Sequence, residues 1–152
     1  MRAFSIIEIV IAISIFVLIA GAGVGSYFRY YKNAIVNTNV DDAITLMKNT
    51  RFKALKNATT EDYGIYIDQS TNSLISFKKS YAPNDPENIV LKLDQLNVLS
   101  LSLQPSIGTT NSILFERQTG KTQNTGDFII GSSLSSYKIS INNQGVIDIT
   151  NP

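Results

Sequence analysis

The chain of 152 residues contains no cysteine, no histidine and no tryptophan. Without cysteine it can form neither a disulfide framework nor a thiolate metal site. Without histidine it lacks the side chain that most often serves as a general base and as a metal ligand. A hydrolase triad built on histidine is therefore excluded, and the composition favours a protein that is not an enzyme, with no catalytic residue, metal site or cofactor to assign.

Charged residues are balanced in number but unevenly distributed. Lysine and arginine number 13 and aspartate and glutamate number 12, for a net charge of +1. This balance gives no general reason to expect a polyanionic partner. The segment from Ile9 to Phe28 has no charged side chain, whereas the sequence after Arg29 is rich in Asn, Ser and Thr. The chain therefore divides into an apolar N-terminal segment and a polar remainder.

The apolar segment is long enough to predict a membrane-spanning helix, because about 20 apolar residues cross the hydrocarbon core of a bilayer. A secretory signal peptide, cut near the small residues Gly21 and Gly25, is the alternative. Glu8 stands inside the apolar run. A charge at the membrane centre costs roughly 2.5–3.5 kcal/mol on insertion scales, so such a carboxylate suggests a functional role. A position at the headgroup boundary, where Glu8 meets water, is the other interpretation.

The start of the chain resembles the processing motif of type IV prepilins and type II secretion pseudopilins: a basic leader, a small residue, Phe, Ser or Thr, two aliphatic residues and Glu. The matching residues are Arg2, Ala3, Phe4, Ser5, Ile6, Ile7, Glu8 and Ile9. The resemblance implies that prepilin peptidase cuts between Ala3 and Phe4 and that the new amino group of Phe4 is N-methylated. It also implies that Glu8 pairs with the Phe4 amine of a neighbouring subunit. Ala3 stands where the family usually has Gly, and Gly25 where many members have Pro.

The remainder of the chain carries two further periodic patterns. Apolar residues continue at helical spacing after the first segment and predict a helix that packs on a globular domain: Val36, Val40, Ala43, Ile44, Met47, Ala54 and Leu55. From Tyr63 the period changes to two, which predicts short strands at 63–68, 74–79, 89–93, 99–103, 113–116, 128–131, 137–142 and 146–150. In the turn before the last strand, Gly145 occupies the position that favours positive φ. The patterns therefore predict a helix followed by antiparallel strands.

We predict an α+β, pilin-like fold, in which a long N-terminal helix with a membrane-spanning first half packs on a C-terminal antiparallel β-sheet or sandwich domain. Residues 1–3 form the leader and residues 4–28 the transmembrane helix and filament core. Residues 29–58 form an amphipathic helix that continues into the β-rich globular domain of residues 59–152. The segment 115–120 and the closing hairpin 137–149 loosely resemble the minor pseudopilin H group.

Two polar clusters suggest weaker alternatives. Asn84, Asp85 and Glu87 could supply oxygen ligands to Ca²⁺, but carboxylates between two prolines more often form a turn. A basic run could contact DNA phosphates, although a solvated helix end has the same composition. Its residues are Lys48, Arg51, Lys53 and Lys56.

The resemblance implies a structural subunit of a type IV pilus or type II secretion pseudopilus that polymerises through its N-terminal helix. The implied partners are other pilin subunits, prepilin peptidase, an inner-membrane assembly platform and, before assembly, membrane lipid. The implied location is the bacterial inner membrane, crossed once with the C-terminal domain outside the cytoplasm, and then the filament. The alternative is a membrane-tethered or secreted β-rich binding domain that does not polymerise, with uptake DNA as one ligand.

Overall fold

The structure is a computed structural model that describes residues 5–56, 61–93, 96–104, 111–132 and 135–150. One helix precedes the strands: α1 spans Ile6–Lys56. The strands are β1 Tyr63–Asp68, β2 Ser73–Lys78, β3 Ile89–Lys92, β4 Asn97–Gln104, β5 Ser112–Phe115, β6 Thr125–Gly131, β7 Ser136–Ile141 and β8 Ile147–Thr150. The chain divides into two compact units, Met1–Ile35 and Val36–Pro152.

The C-terminal part of α1 belongs to the second unit and buries one stripe of side chains. Its buried residues recur every three or four positions and are Val36, Val40, Ala43, Met47, Thr50 and Ala54. That spacing places them on one face of a helix with 3.6 residues per turn. Thr50 is the polar member, and its hydroxyl donates to the backbone oxygen of Leu46 at 2.8 Å and lies 2.8 Å from the buried Ser76 hydroxyl. The stripe therefore connects helix and sheet by apolar contact and by a satisfied polar pair.

Sheet A contains four antiparallel strands in the order β3-β2-β1-β5. In the register of β1 with its neighbours, Ile65 pairs with Ser76 on one side and with Ile113 on the other. Paired residues share a face of a sheet, and all three of these are buried. Gly64 and Tyr66 therefore lie on the opposite face, which we call the outer face of sheet A. There they pair with Phe77 and Ile75 of β2 and with Leu114 and Ser112 of β5.

Sheet B contains the other four antiparallel strands, in the order β4-β6-β7-β8. Phe128 pairs with Leu101 and with Ile139, and the three side chains lie on the face that enters the core. The core is a single apolar cluster to which the α1 stripe and both sheets contribute. Burying a large aliphatic or aromatic side chain stabilises a fold by about 1.5–3 kcal/mol. The second unit therefore has an apolar core of its own.

The predicted fold class, a long N-terminal helix with a membrane-spanning first half that packs on a sheet domain, is contradicted. Within the part of the chain that the structure describes, no helix combines the length and apolar character that crossing a membrane requires. The run that suggested such a helix includes a carboxylate, a hydroxyl and glycines, at Glu8, Ser14, Gly21 and Gly25. The helical residues that pack with strands all belong to the second unit, and the strands form two four-stranded sheets. The transmembrane prediction for residues 4–28, and the single-pass inner-membrane location based on it, are contradicted by this finding.

Candidate functional site

The start of α1 holds the predicted assembly residue. Ser5 precedes the helix, and its backbone oxygen accepts hydrogen bonds from the N–H groups of Glu8 at 3.1 Å and Ile9 at 3.3 Å. In return, the Glu8 carboxylate accepts from the N–H of Ser5 at 3.4 Å. This reciprocal arrangement is half of a capping box, whose Ser-x-x-Glu spacing is visible in the sequence. Glu8 is exposed in the isolated chain, so its carboxylate remains accessible to a second molecule.

The other two predicted processing residues, Ala3 and Phe4, lie outside the described residues. The structure therefore places Glu8 at the first turn of α1, beside Ser5, and does not test the cleavage position. A negative charge is favourable at this end of a helix, because the unpaired N–H groups of the first turn carry partial positive charge. The carboxylate consequently has a local role in addition to any role between subunits.

The helix after Glu8 presents apolar side chains to solvent. Ile15, Phe16, Val17, Leu18 and Ile19 are each at least half exposed, from 52% for Ile15 to 73% for Phe16 and Leu18. Successive residues on an α-helix are about 100° apart, so this stretch covers the full circumference. The tyrosines that follow are also exposed, with Tyr27 stacked on Tyr31 at a ring-centroid distance of 6.3 Å. The first unit therefore carries apolar surface on every side of the helix.

A second candidate site, which sequence reasoning missed, is a cavity on the outer face of sheet A. Its volume is about 770 Å³. Gly64 lies on this face, and a β-carbon there would overlap the ring of Phe77 and approach the backbone oxygen of Ile113 to 2.8 Å. The missing side chain thus makes room for the Phe77 ring. The lining residues are Asp62, Tyr66, Phe77, Lys79, Ser80, Tyr81, Ser112, Leu114, Glu116, Gln123 and Asn124.

Three aromatic rings form one side of this cavity. Tyr66 and Tyr81 stack with their centroids 3.9 Å apart and their planes 5° from parallel, and Phe77 meets Tyr81 edge-on at 5.9 Å. Burial is the main reason that the pKa of Tyr81 is raised, with a smaller contribution from Tyr66 and Asp68. The Tyr81 hydroxyl therefore stays protonated near neutral pH and can donate a hydrogen bond.

Acceptor groups form the other side. Asp62 Oδ1 accepts from the N–H of Arg117 at 3.0 Å. Glu116 accepts from the Thr119 hydroxyl at 3.2 Å and from the Gln123 amide at 3.3 Å. A carboxylate offers about four lone-pair positions, so these contacts fix both side chains without using all of their acceptor capacity. The cavity lining thus combines carboxylates, amides and hydroxyls with aromatic rings.

The two polar clusters noted in the sequence take structural roles. Asp85 Oδ1 accepts from the N–H of Glu87 at 2.9 Å, and the Asn88 side chain donates to the oxygen of Ala82 at 2.8 Å, which is the geometry of a turn. In the basic run, Arg51 donates to the backbone oxygens of Gly120 at 3.2 Å and Gln144 at 2.9 Å. Lys56 lies over the Phe52 ring at 4.4 Å. The turn is the interpretation that the flanking prolines favoured, whereas the Arg51 contacts join segments far apart in the chain and were not deducible from spacing.

Asp68 makes the stability of the second unit depend on acid pH. Its carboxylate accepts from the N–H and hydroxyl groups of Ser70 and Thr71 at 2.6–3.3 Å, and these hydrogen bonds lower its pKa. The pKa of Asp127 is also lowered, mainly by the hydrogen bond that its carboxylate accepts from Lys138 and next by the one with Ser140. A lowered folded-state pKa contributes stability that is present above the ordinary value of about 4 and is lost as pH falls through the folded value.

We therefore expect the melting temperature of the second unit to fall as pH decreases below about 4, and to fall less in Asp68→Asn, which cannot bind that proton. Thermal unfolding followed by circular dichroism between pH 2 and 7 measures both slopes. Ser70→Ala removes one of these contacts, the hydrogen bond from the Ser70 hydroxyl at 2.6 Å, and should give an intermediate slope. Equal slopes in the wild type and Asp68→Asn would contradict the assignment.

Known proteins supply no further assignment for either site. Within the described residues there is no group of three or more acidic, histidine or cysteine side chains that could hold a metal ion. No protein-family model, no curated protein and no solved structure matches this chain.

Proposed function

We propose that this chain is a structural subunit of a filament, of the type IV pilus or type II secretion pseudopilus kind, and that its copies associate through the N-terminal part of α1. The observation that carries the proposal is the fully apolar circumference of the helix at Ile15, Phe16, Val17, Leu18 and Ile19. A large contiguous exposed apolar surface marks an interaction site.

The distribution of that surface favours many partners over one. A helix that pairs with a single partner has an apolar stripe on one face and polar residues on the other. Here no face of the stretch from Ile15 to Ile19 is polar. A helix that is apolar on all sides needs neighbours on all sides, and a bundle of many copies in a filament core provides them.

The resemblance at residues 2–9 adds a route to that bundle. Cleavage before Phe4 would place a new amino group four residues ahead of Glu8. In a low-dielectric core an unpaired charge is costly, and pairing the amine of one copy with the carboxylate of the next offsets that cost. Such pairing also fixes how far one subunit is displaced along its neighbour. The proposal requires no catalytic group in the chain, which acts as the substrate of prepilin peptidase.

The mature N-terminus tests the proposal. We expect the full chain, isolated from cells that contain prepilin peptidase, to begin with N-methylated Phe4, and from cells lacking the peptidase to retain residues 1–3. Mass spectrometry of the intact protein and of its N-terminal peptide measures both. Electron microscopy of the processed protein should show filaments.

A chain that begins beyond Gly21 would contradict the proposal and identify a secreted β-rich domain. A chain that keeps its first residues in both strains would also contradict it. Gly25→Ala serves as a control, because nothing lies within 4 Å of a β-carbon there and residues 2–9 are unchanged, so its processing should equal that of the wild type.

A further inference from the structure

We propose that the cavity on the outer face of sheet A binds a carbohydrate, specifically a neutral ring that carries several hydroxyl groups. Ligand sites typically have volumes of roughly 300–1,000 Å³ with mainly apolar walls and a few fixed polar groups. The cavity of about 770 Å³, lined by Tyr66, Phe77, Tyr81 and Leu114 together with Asp62 and Glu116, has this composition. All of its lining residues belong to the second unit. The inference therefore does not depend on filament assembly.

The aromatic wall fits the C–H face of a sugar ring. The face of an aromatic ring is electronegative and attracts weakly positive C–H groups. Tyr66 and Tyr81 support each other through their 3.9 Å stack, and Phe77 abuts Tyr81 from the side. Phe77 itself is only 4% exposed, so the partly exposed tyrosines provide the contact surface. Rings held in this way lose little conformational entropy when a ligand binds.

The polar wall fits the hydroxyl edge of the same ring. Each sugar hydroxyl carries one donor and can also accept, so a ring with several hydroxyls needs a wall rich in acceptors. Asp62 and Glu116 provide four carboxylate oxygens, of which three take the contacts with Arg117, Thr119 and Gln123. Their remaining lone pairs are available to ligand hydroxyls, and the Tyr81 hydroxyl is a donor.

Charge selects against the main alternative ligands. The lining holds two carboxylates, Asp62 and Glu116, and one ammonium group, Lys79, so a phosphate or carboxylate ligand would meet net negative charge. An alkylammonium ligand is usually enclosed by several aromatic faces. Because Tyr66 and Tyr81 stack on each other, each ring has at most one free face, which suffices for contact with one face of a sugar ring but does not enclose an ammonium group. A neutral hydroxyl-rich ring remains the ligand class that both walls fit.

The experiment uses the full chain in micelles of pentaethylene glycol monooctyl ether, a detergent whose headgroup carries neither a sugar nor a charge. The probes are methyl β-D-glucopyranoside, methyl β-D-galactopyranoside and N-acetylglucosamine, with inorganic phosphate as the anionic comparison. We expect at least one sugar to bind saturably in a saturation-transfer NMR titration, at two detergent concentrations, and phosphate to neither bind nor displace it.

Variants locate the binding. Tyr81→Ala removes the stacked platform and should weaken binding roughly tenfold, since an aromatic contact is worth up to about 1.5 kcal/mol. Glu116→Gln keeps the shape of the wall but removes one charge and should weaken binding by a smaller factor. Phe52→Ala removes an exposed aromatic ring that does not line the cavity and should leave binding unchanged.

The inference is overturned if no sugar binds at either detergent concentration, if phosphate displaces the sugar, or if Tyr81→Ala weakens binding no more than Phe52→Ala does. Should Tyr81→Ala fail to fold, Glu116→Gln decides the question on its own, because an unchanged sugar affinity in that variant also counts against the site. Failure of filament formation in the N-terminal test leaves this titration unaffected, so the two proposals fail separately.

Discussion

Replacing Glu8 by glutamine is expected to abolish filament assembly while the second unit stays folded. Glutamine at this position keeps the hydrogen bond from the N–H of Ser5, because the third residue of a capping box accepts Glu and Gln alike. It removes the charge that, in the proposed filament, pairs with the Phe4 amine of a neighbour. Leaving one member of a buried ion pair alone typically costs about 3–5 kcal/mol, which lowers an association constant by roughly a hundredfold or more.

Sedimentation and electron microscopy of the processed protein measure the effect, and circular dichroism confirms that the β-rich unit is intact. Asp42→Asn is the matched control, because it also removes one exposed carboxylate from α1, at a position far along the chain from residue 8. Filaments of Glu8→Gln in wild-type amounts would show that Glu8 acts only as a local helix cap. Glu8→Ala, which loses both cap and charge, should then be the more severe change.

Replacing Gly145 by alanine is expected to destabilise the second unit by about 3 kcal/mol. Gly145 has a φ of +69°, which costs an L-residue roughly 1–2 kcal/mol. Its new β-carbon would also overlap the backbone oxygen of Gly120 and lie 3.0 Å from Arg51 Nε. The Gly120 oxygen accepts from that same nitrogen at 3.2 Å, so moving it weakens a hydrogen bond to a charged group, a contact worth about 1.5–3 kcal/mol.

Urea unfolding followed by circular dichroism gives the free energy of unfolding. In thermal unfolding of the same variant we expect the melting temperature to fall by roughly 10 °C. Gly21→Ala is the control, since nothing lies within 4 Å of its β-carbon and the position is helical. In an Arg51→Ala background the cost of Gly145→Ala should shrink, because the hydrogen bond is already absent. A loss below about 0.5 kcal/mol in the wild-type background would show that the loop moves aside freely.

The sequence predicted the local elements well because their signals are local. Alternation predicts a strand at 63–68, and the observed β1 spans Tyr63–Asp68. The strand predicted at 128–131 lies within the observed β6, which begins three residues earlier, at Thr125. The early start has a tertiary cause. Gly126 suggests a turn in isolation, but it pairs with Leu103 of β4 and with Ile141 of β7, which extends the strand. The predicted positive φ of Gly145 is confirmed.

Contacts between distant residues were not predictable from one sequence. Thr50 and Ser76 are polar and would be assigned to the surface, yet each satisfies the other inside the core. The cavity on sheet A depends on the pairing of Tyr63 with Phe115, and it gathers Asp62, Tyr81 and Glu116 from separate segments. No spacing rule connects those residues. For the assembly site, the sequence motif singles out Glu8, and the structure adds the capping contact between Ser5 and Glu8.

The strand order of sheet A bears on how the chain folds while it is being made. β1 forms a hairpin with β2 at once, but its other edge pairs with β5, about 50 residues later in the chain. Until Ser112–Phe115 has left the ribosome, the edge of β1 that later pairs with β5 has no partner strand. At synthesis rates of roughly 5–20 residues per second this interval lasts several seconds. Neighbouring nascent chains on one messenger RNA are therefore exposed to edge-to-edge aggregation during that interval. A chaperone that covers an unpaired strand edge would act on this protein before its last strands are synthesised.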